Sequence, residues 1–449
     1  MRVERGEELR LPWSRSDRPI PRRVIRPLQS FLETEVASGA VLLAALVIAL
    51  VWANSPARGA YEHLWSRHLL VRLGRWGVGD EVRGWIRDGL MTLFFLVAGL
   101  EIKRELLTGE LRNRRAAMLP AGAALGGMVV AALLYLAVNP RSPAAHGWGA
   151  AMPTDIALAL GVLSLALPRA PSSLRVFVLS LAIADDLGTI AAVALFYSHR
   201  LAVGSIALAI GIGAVVFVAR RVDIRSSVVY GSLGTAMWLA LHGSGVSPTL
   251  AGVAMGLLTP AVPFHRPRAV SREAHRIADE TVDDPSPPDA DAAQWLELAR
   301  LCRGAVSPLA RLEAVLHPWT SYVILPLFVL ADAGVRIVPH ALTTSSSERV
   351  VAGMLLARAV GKPLGIVLGS WVTVRLGRVG LPSGLTWTRI LGIGAAAGVP
   401  FSVSLFVAEL SLPGPLLDAA RVGIVVAAGL SGLLGFLLLR TRRGAAGSS

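Results

Sequence analysis

Leu181-Ala182-Ile183-Ala184-Asp185-Asp186-Leu187-Gly188-Thr189 places two adjacent carboxylates within the predominantly apolar stretch 172–198. About 20 apolar residues are enough to cross a bilayer as a helix. A charge at the centre of such a helix costs at least ~2.5–3.5 kcal/mol on insertion scales. Two of them side by side need partners, water or work. Neighbouring residues on a helix point about 100° apart, so the two carboxylates address different surroundings. One can meet a fixed partner while the other faces a solvent-filled cavity; alternatively both are held by nearby Ser or Thr hydroxyls as structure.

Composition agrees with a chain that lives in lipid. Of 449 residues, 53% are hydrophobic and only 16% charged, against roughly 25% charged in soluble domains. Mean hydropathy is +0.58. An ordinary cytosolic enzyme is therefore excluded. The formal charge of +14 comes from arginines that lie mostly between apolar runs, which is how topology signals are distributed, so no nucleic-acid partner is expected. Cys302 stands alone, which excludes an intramolecular disulfide and a two-cysteine metal site. The first apolar run begins near Val36 and many follow, so a cleavable signal peptide is not expected.

The pattern predicts an all-α polytopic membrane protein with twelve spans, at about 36–55, 85–107, 117–138, 148–168, 172–198, 202–220, 225–242, 246–261, 314–337, 348–372, 387–410 and 416–440. Residues 1–35 read as a cytoplasmic Arg-rich tail, with an amphipathic stretch near Pro27–Leu32 left open, 36–440 as the transmembrane domain and 441–449 as a second cytoplasmic tail. Arg112, Arg114 and Arg115, then Arg169 and Arg175, Arg220, Arg221 and Arg225, and Arg375 and Arg378 fall in even-to-odd connections; the positive-inside rule then puts both termini in the cytoplasm. The 56–84 loop breaks this pattern with five arginines and is rich in Trp and Gly. It reads either as a structured hairpin serving dimer contact or as a plain exposed loop. Residues 262–311 hold Asp283, Asp284, Asp289 and Asp291 among prolines and read as a flexible cytoplasmic loop; a metal site there is the lesser alternative.

Two spans look interrupted. Met152-Pro153-Thr154-Asp155 falls in the fourth, and Gly392-Ile393-Gly394-Ala395-Ala396-Ala397-Gly398-Val399-Pro400 in the eleventh. Such breaks survive at membrane depth only where protein or a water cavity satisfies the backbone. A matched pair of them points to a transporter's binding site, with a simple proline kink as the alternative. Asp155, Asp185, Asp186, Asp332 and Lys362 all sit in apolar stretches. Lys362 is one of only two lysines among 44 basic residues, the other being Lys103. A buried lysine can release its proton where an arginine keeps it, so Lys362 is read as a proton-exchanging group or a compact partner for an Asp, with snorkelling to an interface as the alternative. Asp332 reads equally as an intramembrane group or as one at the outer interface. Glu101, Lys103, Arg104 and Glu105 close the second span, and Glu313 with His317 repeats the i,i+4 spacing at the start of the ninth. A helix-end charge cluster and a proton-responsive cluster both fit.

Several of these runs resemble the NhaA-type sodium/proton antiporters: Phe94-Phe95-Leu96-Val97-Ala98-Gly99-Leu100-Glu101-Ile102-Lys103-Arg104-Glu105-Leu106, Pro153-Thr154-Asp155-Ile156-Ala157, Ile183-Ala184-Asp185-Asp186-Leu187-Gly188, Leu316-His317-Pro318-Trp319 and Gly361-Lys362-Pro363-Leu364-Gly365. The likeness covers about residues 30–440, less the long loop. It implies inverted repeats, with the fourth and eleventh spans crossing at their breaks, the arrangement for which this family is a standard example. It implies that Asp155, Asp186 and Thr154 bind Na+, that Asp185 pairs with Lys362, and that Glu101, Arg104, Glu105, Glu313 and His317 form a pH-response region. It further implies exchange of internal Na+ or Li+ for external H+ in a bacterial cell membrane, electrogenic, with no cofactor, membrane lipids as partners and a possible homodimer. The chain departs from the family pattern at Ser247-Pro248-Thr249 and at Ala314, where histidines are expected, and at Asp332, where the family reads Asn.

Rival readings from the residues are an intramembrane aspartyl protease, which needs a Gly-x-Gly-Asp context that is absent, and a prenyl-transfer enzyme, which needs Asp-x-x-Asp clusters. Neither uses Lys362. An organic-anion symporter and a passive channel are rivals within transport.

Overall fold

The apolar runs become helices that satisfy their own backbone, the form a single segment needs in lipid. The computed structural model describes residues 35–73, 76–141, 143–198, 201–222, 224, 226–282, 292–335, 345–377 and 379–440. The two terminal tails and the acidic, proline-rich stretch around Asp283, Asp284, Asp289 and Asp291 lie outside these residues. In order, the spans are Glu35–Ala53, Trp85–Leu90 continuing as Met91–Leu107, Arg114–Val138, Ala144–Ala151 with Ile156–Ala166, Ser172–Phe196, Val203–Arg221, Ser227–His242, Leu250–Leu258, then Pro308–Trp319 running through Thr320–Ile324 into Leu325–Asp332. Ser345–Leu356 runs through Ala357–Gly361 into Lys362–Gly377 as the tenth, Trp387–Ala397 with Ser402–Ser411 forms the eleventh, and Gly414–Arg440 the twelfth. Among the described residues, six helices are long and apolar enough to cross a membrane alone, and up to nine when each sharply bent pair counts as one span. The second, seventh and eighth spans are the shorter apolar helices that complete the expected twelve.

Helix contacts sort the spans into two groups. The third span packs on the tenth and the fifth, and the twelfth on the tenth and eleventh. The second packs on the eighth, and the sixth on the seventh. Hydrophobic burial does not drive helices together in lipid, so close backbone approach matters more. The third and tenth spans meet at Gly126 and Gly365, where a Cβ on either would collide with the other's backbone. That approach sets Lys362, one turn before Gly365, deep inside the first group, where it is 0% exposed.

The 56–84 loop holds a structured hairpin. Arg58–Trp65 turns 116° from the first span, and β1 (His68–Leu73) pairs antiparallel with β2 (Trp76–Glu81), His68 opposite Glu81. The 262–311 stretch is more regular than its composition suggested. Its described parts form helices Pro267–Val282 and Ala292–Gly304, packed on each other. Val270, Ile277 and Leu298 supply the buried residues of this pair, and Val270 and Ile277, seven apart, share one helix face.

Candidate functional site

The two interrupted spans bend by 53° and 56°, and their breaks meet. The Asp155 N–H donates to Val399 O at 3.3 Å, and the Thr154 hydroxyl donates to Ala397 O at 2.9 Å. Each break thus satisfies backbone that the other leaves open, the condition for non-helical chain at this depth.

Charge follows the helix ends. Asp155 caps Ile156–Ala166, its Oδ1 accepting from Leu158 N–H at 3.2 Å. Its Oδ2 accepts from the Ser402 hydroxyl at 3.1 Å, at the first residue of Ser402–Ser411. One carboxylate therefore serves two helix N-termini, where partial positive charge collects. The opposite sign collects at the end of Ala144–Ala151, where cations are stabilising. There the carbonyls of Ala150, Met152 and Pro153 meet two of them, Lys362 and Arg358.

Lys362 Nζ lies 2.7 Å from Asp185 Oδ1 and also donates to Met152 O. Lys362 and Asp185 are both 0% exposed. Asp186, one residue on, is half-buried, and its Oδ1 is shielded without a hydrogen-bond partner. Asp155, Asp185, Glu101 and Lys362 all act on it electrostatically. The adjacent pair is thus divided as helix geometry demands: Asp185 is committed to a cation, and Asp186 Oδ1 is left without a hydrogen-bond partner. Asp185 Oδ2 and Thr189 Oγ1 are further buried oxygens without a hydrogen-bond partner on the same helix.

A cavity of about 440 Å³ enters between the second and fifth spans, lined by Glu105, Arg112, Asn113, Val176, Leu179 and Ser180. Ser180 is six residues, or ~9 Å of helix, from Asp186. The cavity lies at the end of the molecule where Arg112, Arg114 and Arg115 cluster.

Three of the five residues of the supposed pH-response region lie together. Arg104 pairs with Glu313, and Glu101 lies within electrostatic range of both. Glu105 faces the cavity beside the fifth span instead. His317 is exposed one turn beyond Glu313. Lys103 holds the carbonyls of Leu257, at 2.7 Å, and Thr259, closing the C-terminal end of the eighth span. Ser247 and Thr249, in the place of an expected histidine, hydrogen-bond each other at 2.7 Å.

Asp332 is 1% exposed, with Arg83 at 3.5 Å and Arg421 at 3.8 Å, so it is held inside the protein by cations from the 56–84 loop and the twelfth span. Arg421 also pairs with Glu409 and, at 3.3 Å, with Asp418. Removing one partner of a buried ion group leaves the others uncompensated, at a cost of about 3–5 kcal/mol. Arg421→Met is therefore expected to lower thermal stability sharply, and the added change Glu409→Leu to recover part of the loss. Equal melting temperatures for wild type and Arg421→Met would show that the network contributes nothing.

Sequence reading passed over Arg358. It lies in Leu355-Leu356-Ala357-Arg358-Ala359-Val360, an apolar run carrying the same signal that singled out Lys362, yet it is 0% exposed and bonded to the fourth and eleventh spans.

Among known proteins, residues 29–439 match the family described as Na+/H+ antiporter 1. The Na(+)/H(+) antiporter NhaA 2 of Sorangium cellulosum (strain So ce56) is 42% identical over 433 residues, covering 94% of this chain and 92% of that protein. The Na(+)/H(+) antiporter NhaA of Anaeromyxobacter sp. (strain Fw109-5) is 43% identical over 425 residues, 94% of this chain and 93% of that protein. Among solved structures, the sodium proton antiporter MjNhaP1 from Methanocaldococcus jannaschii at pH 8 aligns with 92% of this chain and 99% of its own at 13% identity and a TM-score of 0.44, a distant likeness. With crossed breaks in a multi-pass bundle and a family match along nearly its whole length, this chain belongs to the Na+/H+ antiporter 1 family and is a transporter, not an enzyme.

Proposed function

We propose that the chain exchanges internal Na+, or Li+, for external H+ at Asp186, Asp155 and Thr154, with Asp185 and Lys362 as the coupled pair. The observation that carries this reading is Asp186: a shielded carboxylate oxygen without a hydrogen-bond partner, beside two crossed helix breaks and on the same span that lines a cavity nearer the helix end. Sodium is a hard cation that takes oxygen ligands, by analogy with the harder divalent ions. Carboxylate, hydroxyl and unwound carbonyl oxygens supply that donor set, and sodium is cargo here rather than cofactor. Protons and sodium compete for the same oxygens, and this competition couples their fluxes. Rocking of one group of spans against the other exposes the site to each side in turn.

More protons than sodium ions cross per cycle, because both the Asp186 site and the Asp185–Lys362 pair exchange protons. The Arg104–Glu313 pair with Glu101, Glu105 at the cavity wall and the exposed His317 tune the response to pH. The Arg-rich loops face the cytoplasm, the setting is a bacterial cell membrane with its lipids, and the β1–β2 hairpin serves homodimer contact.

The test is sodium-induced proton release from everted vesicles across pH. Direct competition predicts that the apparent Na+ KM rises by up to about tenfold for each unit of acidification. A KM independent of pH would overturn the shared site. In proteoliposomes an imposed voltage is expected to change the exchange rate; voltage-independent exchange would overturn the unequal stoichiometry.

A further inference from the structure

Arg358 is a permanently charged group placed where no water reaches it. Such burial is costly unless its donors find partners; Nε has none, and the two terminal nitrogens carry the bonding. Its guanidinium donates to Pro153 O, to Ala150 O at 2.8 Å and to the Ser404 hydroxyl. Ser404 itself lies 3.5 Å from Pro153 O. The backbone contributes as well: a Cβ on Gly398, in the eleventh span's break, would stand 2.6 Å from Arg358 O. One residue of the tenth span therefore grips the breaks of both interrupted spans.

Its relation to Lys362 is a division of labour. Both cations sit on a five-residue turn and its edge, Ala357–Gly361 followed by Lys362, and both serve the carbonyl end of Ala144–Ala151. Lys362 bonds a carboxylate, Asp185. The guanidinium of Arg358 bonds carbonyls and a hydroxyl instead, spread over two spans by its planar fork, a geometry that the single point charge of lysine lacks. The contact with Pro153 O bears on the residue directly before Thr154.

We propose that Arg358 is a positioning residue for the cation site: its guanidinium holds the unwound segment Met152–Asp155 in the shape that presents Thr154 and Asp155 towards Asp186. This rests on the reading of Asp155, Asp186 and Thr154 as the sodium site. With Arg358 holding the carbonyl end, Lys362 can part from Asp185 during the cycle without leaving that end uncompensated.

The experiment compares wild type, Arg358→Gln, Arg358→Lys, Ser404→Ala and Asp186→Asn in proteoliposomes, reading Na+ KM and Vmax separately along with melting temperature. Loss of charge-assisted hydrogen bonds to the break predicts an Na+ KM raised about tenfold or more in Arg358→Gln, with Vmax retained within about threefold. Arg358→Lys keeps the charge but not the fork and is expected to raise KM about threefold; Ser404→Ala, which removes one acceptor, about twofold. A lower melting temperature with unchanged KM would overturn the proposal and leave Arg358 a strut. Should Arg358→Gln fail to fold, unchanged KM in both Arg358→Lys and Ser404→Ala would overturn it equally. Exchange surviving in Asp186→Asn would instead reject the site reading itself, which keeps the two failures apart.

Discussion

Asp186→Asn is expected to reduce sodium-driven proton release more than 100-fold, equivalent to about 2.7 kcal/mol or more of lost stabilisation, while leaving the fold intact. The substitution is isosteric. Oδ1 of Asp186 has no hydrogen-bond partner to lose, so no local structure depends on it. A shielded carboxylate is costly to keep charged, so neutralising it leaves stability unchanged or slightly raised. Transport fails because an amide neither binds the exchangeable proton nor offers a full negative charge to the cation. The pairing of a wild-type melting curve with absent exchange is the diagnostic result. A variant that keeps half of its exchange would remove Asp186 from the centre of the mechanism.

Lys362→Met is expected to destabilise the protein by about 3–5 kcal/mol, the range for a buried pair that loses one member. The cause is what remains: Asp185 at 0% exposure with no cation at 2.7 Å, and the Met152 carbonyl without its donor. The companion change Asp185→Asn removes the stranded charge, so Lys362→Met/Asp185→Asn is expected to recover most of the loss. Thermal unfolding of the four proteins forms a double-mutant cycle, whose coupling energy isolates the pair. A double variant as unstable as the sum of the singles would show that the two residues act independently. In transport, the double variant is expected to lose the dependence of rate on voltage, because the pair no longer exchanges a proton.

Much of this was readable from residues. Apolar runs of spanning length located all twelve helices, because a segment in lipid has to close its backbone hydrogen bonds within itself. Pro153 and the Gly398-Val399-Pro400 run marked both breaks, since proline removes a donor and glycine relaxes the helix. Intramembrane charge marked Asp155, Asp185, Asp186 and Lys362. The same rule applied to Arg358 would have found it; the contrast between two lysines and many arginines drew the reading to Lys362 and hid its neighbour. Composition did not reveal the helices at 267–282 and 292–304, where the few apolar residues Val270, Ile277 and Leu298 are buried.

The sequence by itself determined that the chain is a membrane bundle, where its spans and breaks fall, and that carboxylates and a lysine are buried in it; these are consequences of local hydropathy and backbone chemistry. Which carboxylate meets which cation was decided only by tertiary structure. Asp185 takes Lys362 from 177 positions away, Asp155 is shared with Ser402 across 247, and Asp332 sinks beneath Arg83 and Arg421. Hydropathy can show that a charge is buried, but its partner is chosen by which helix ends and faces packing brings within a few ångströms, and no local pattern carries that distance.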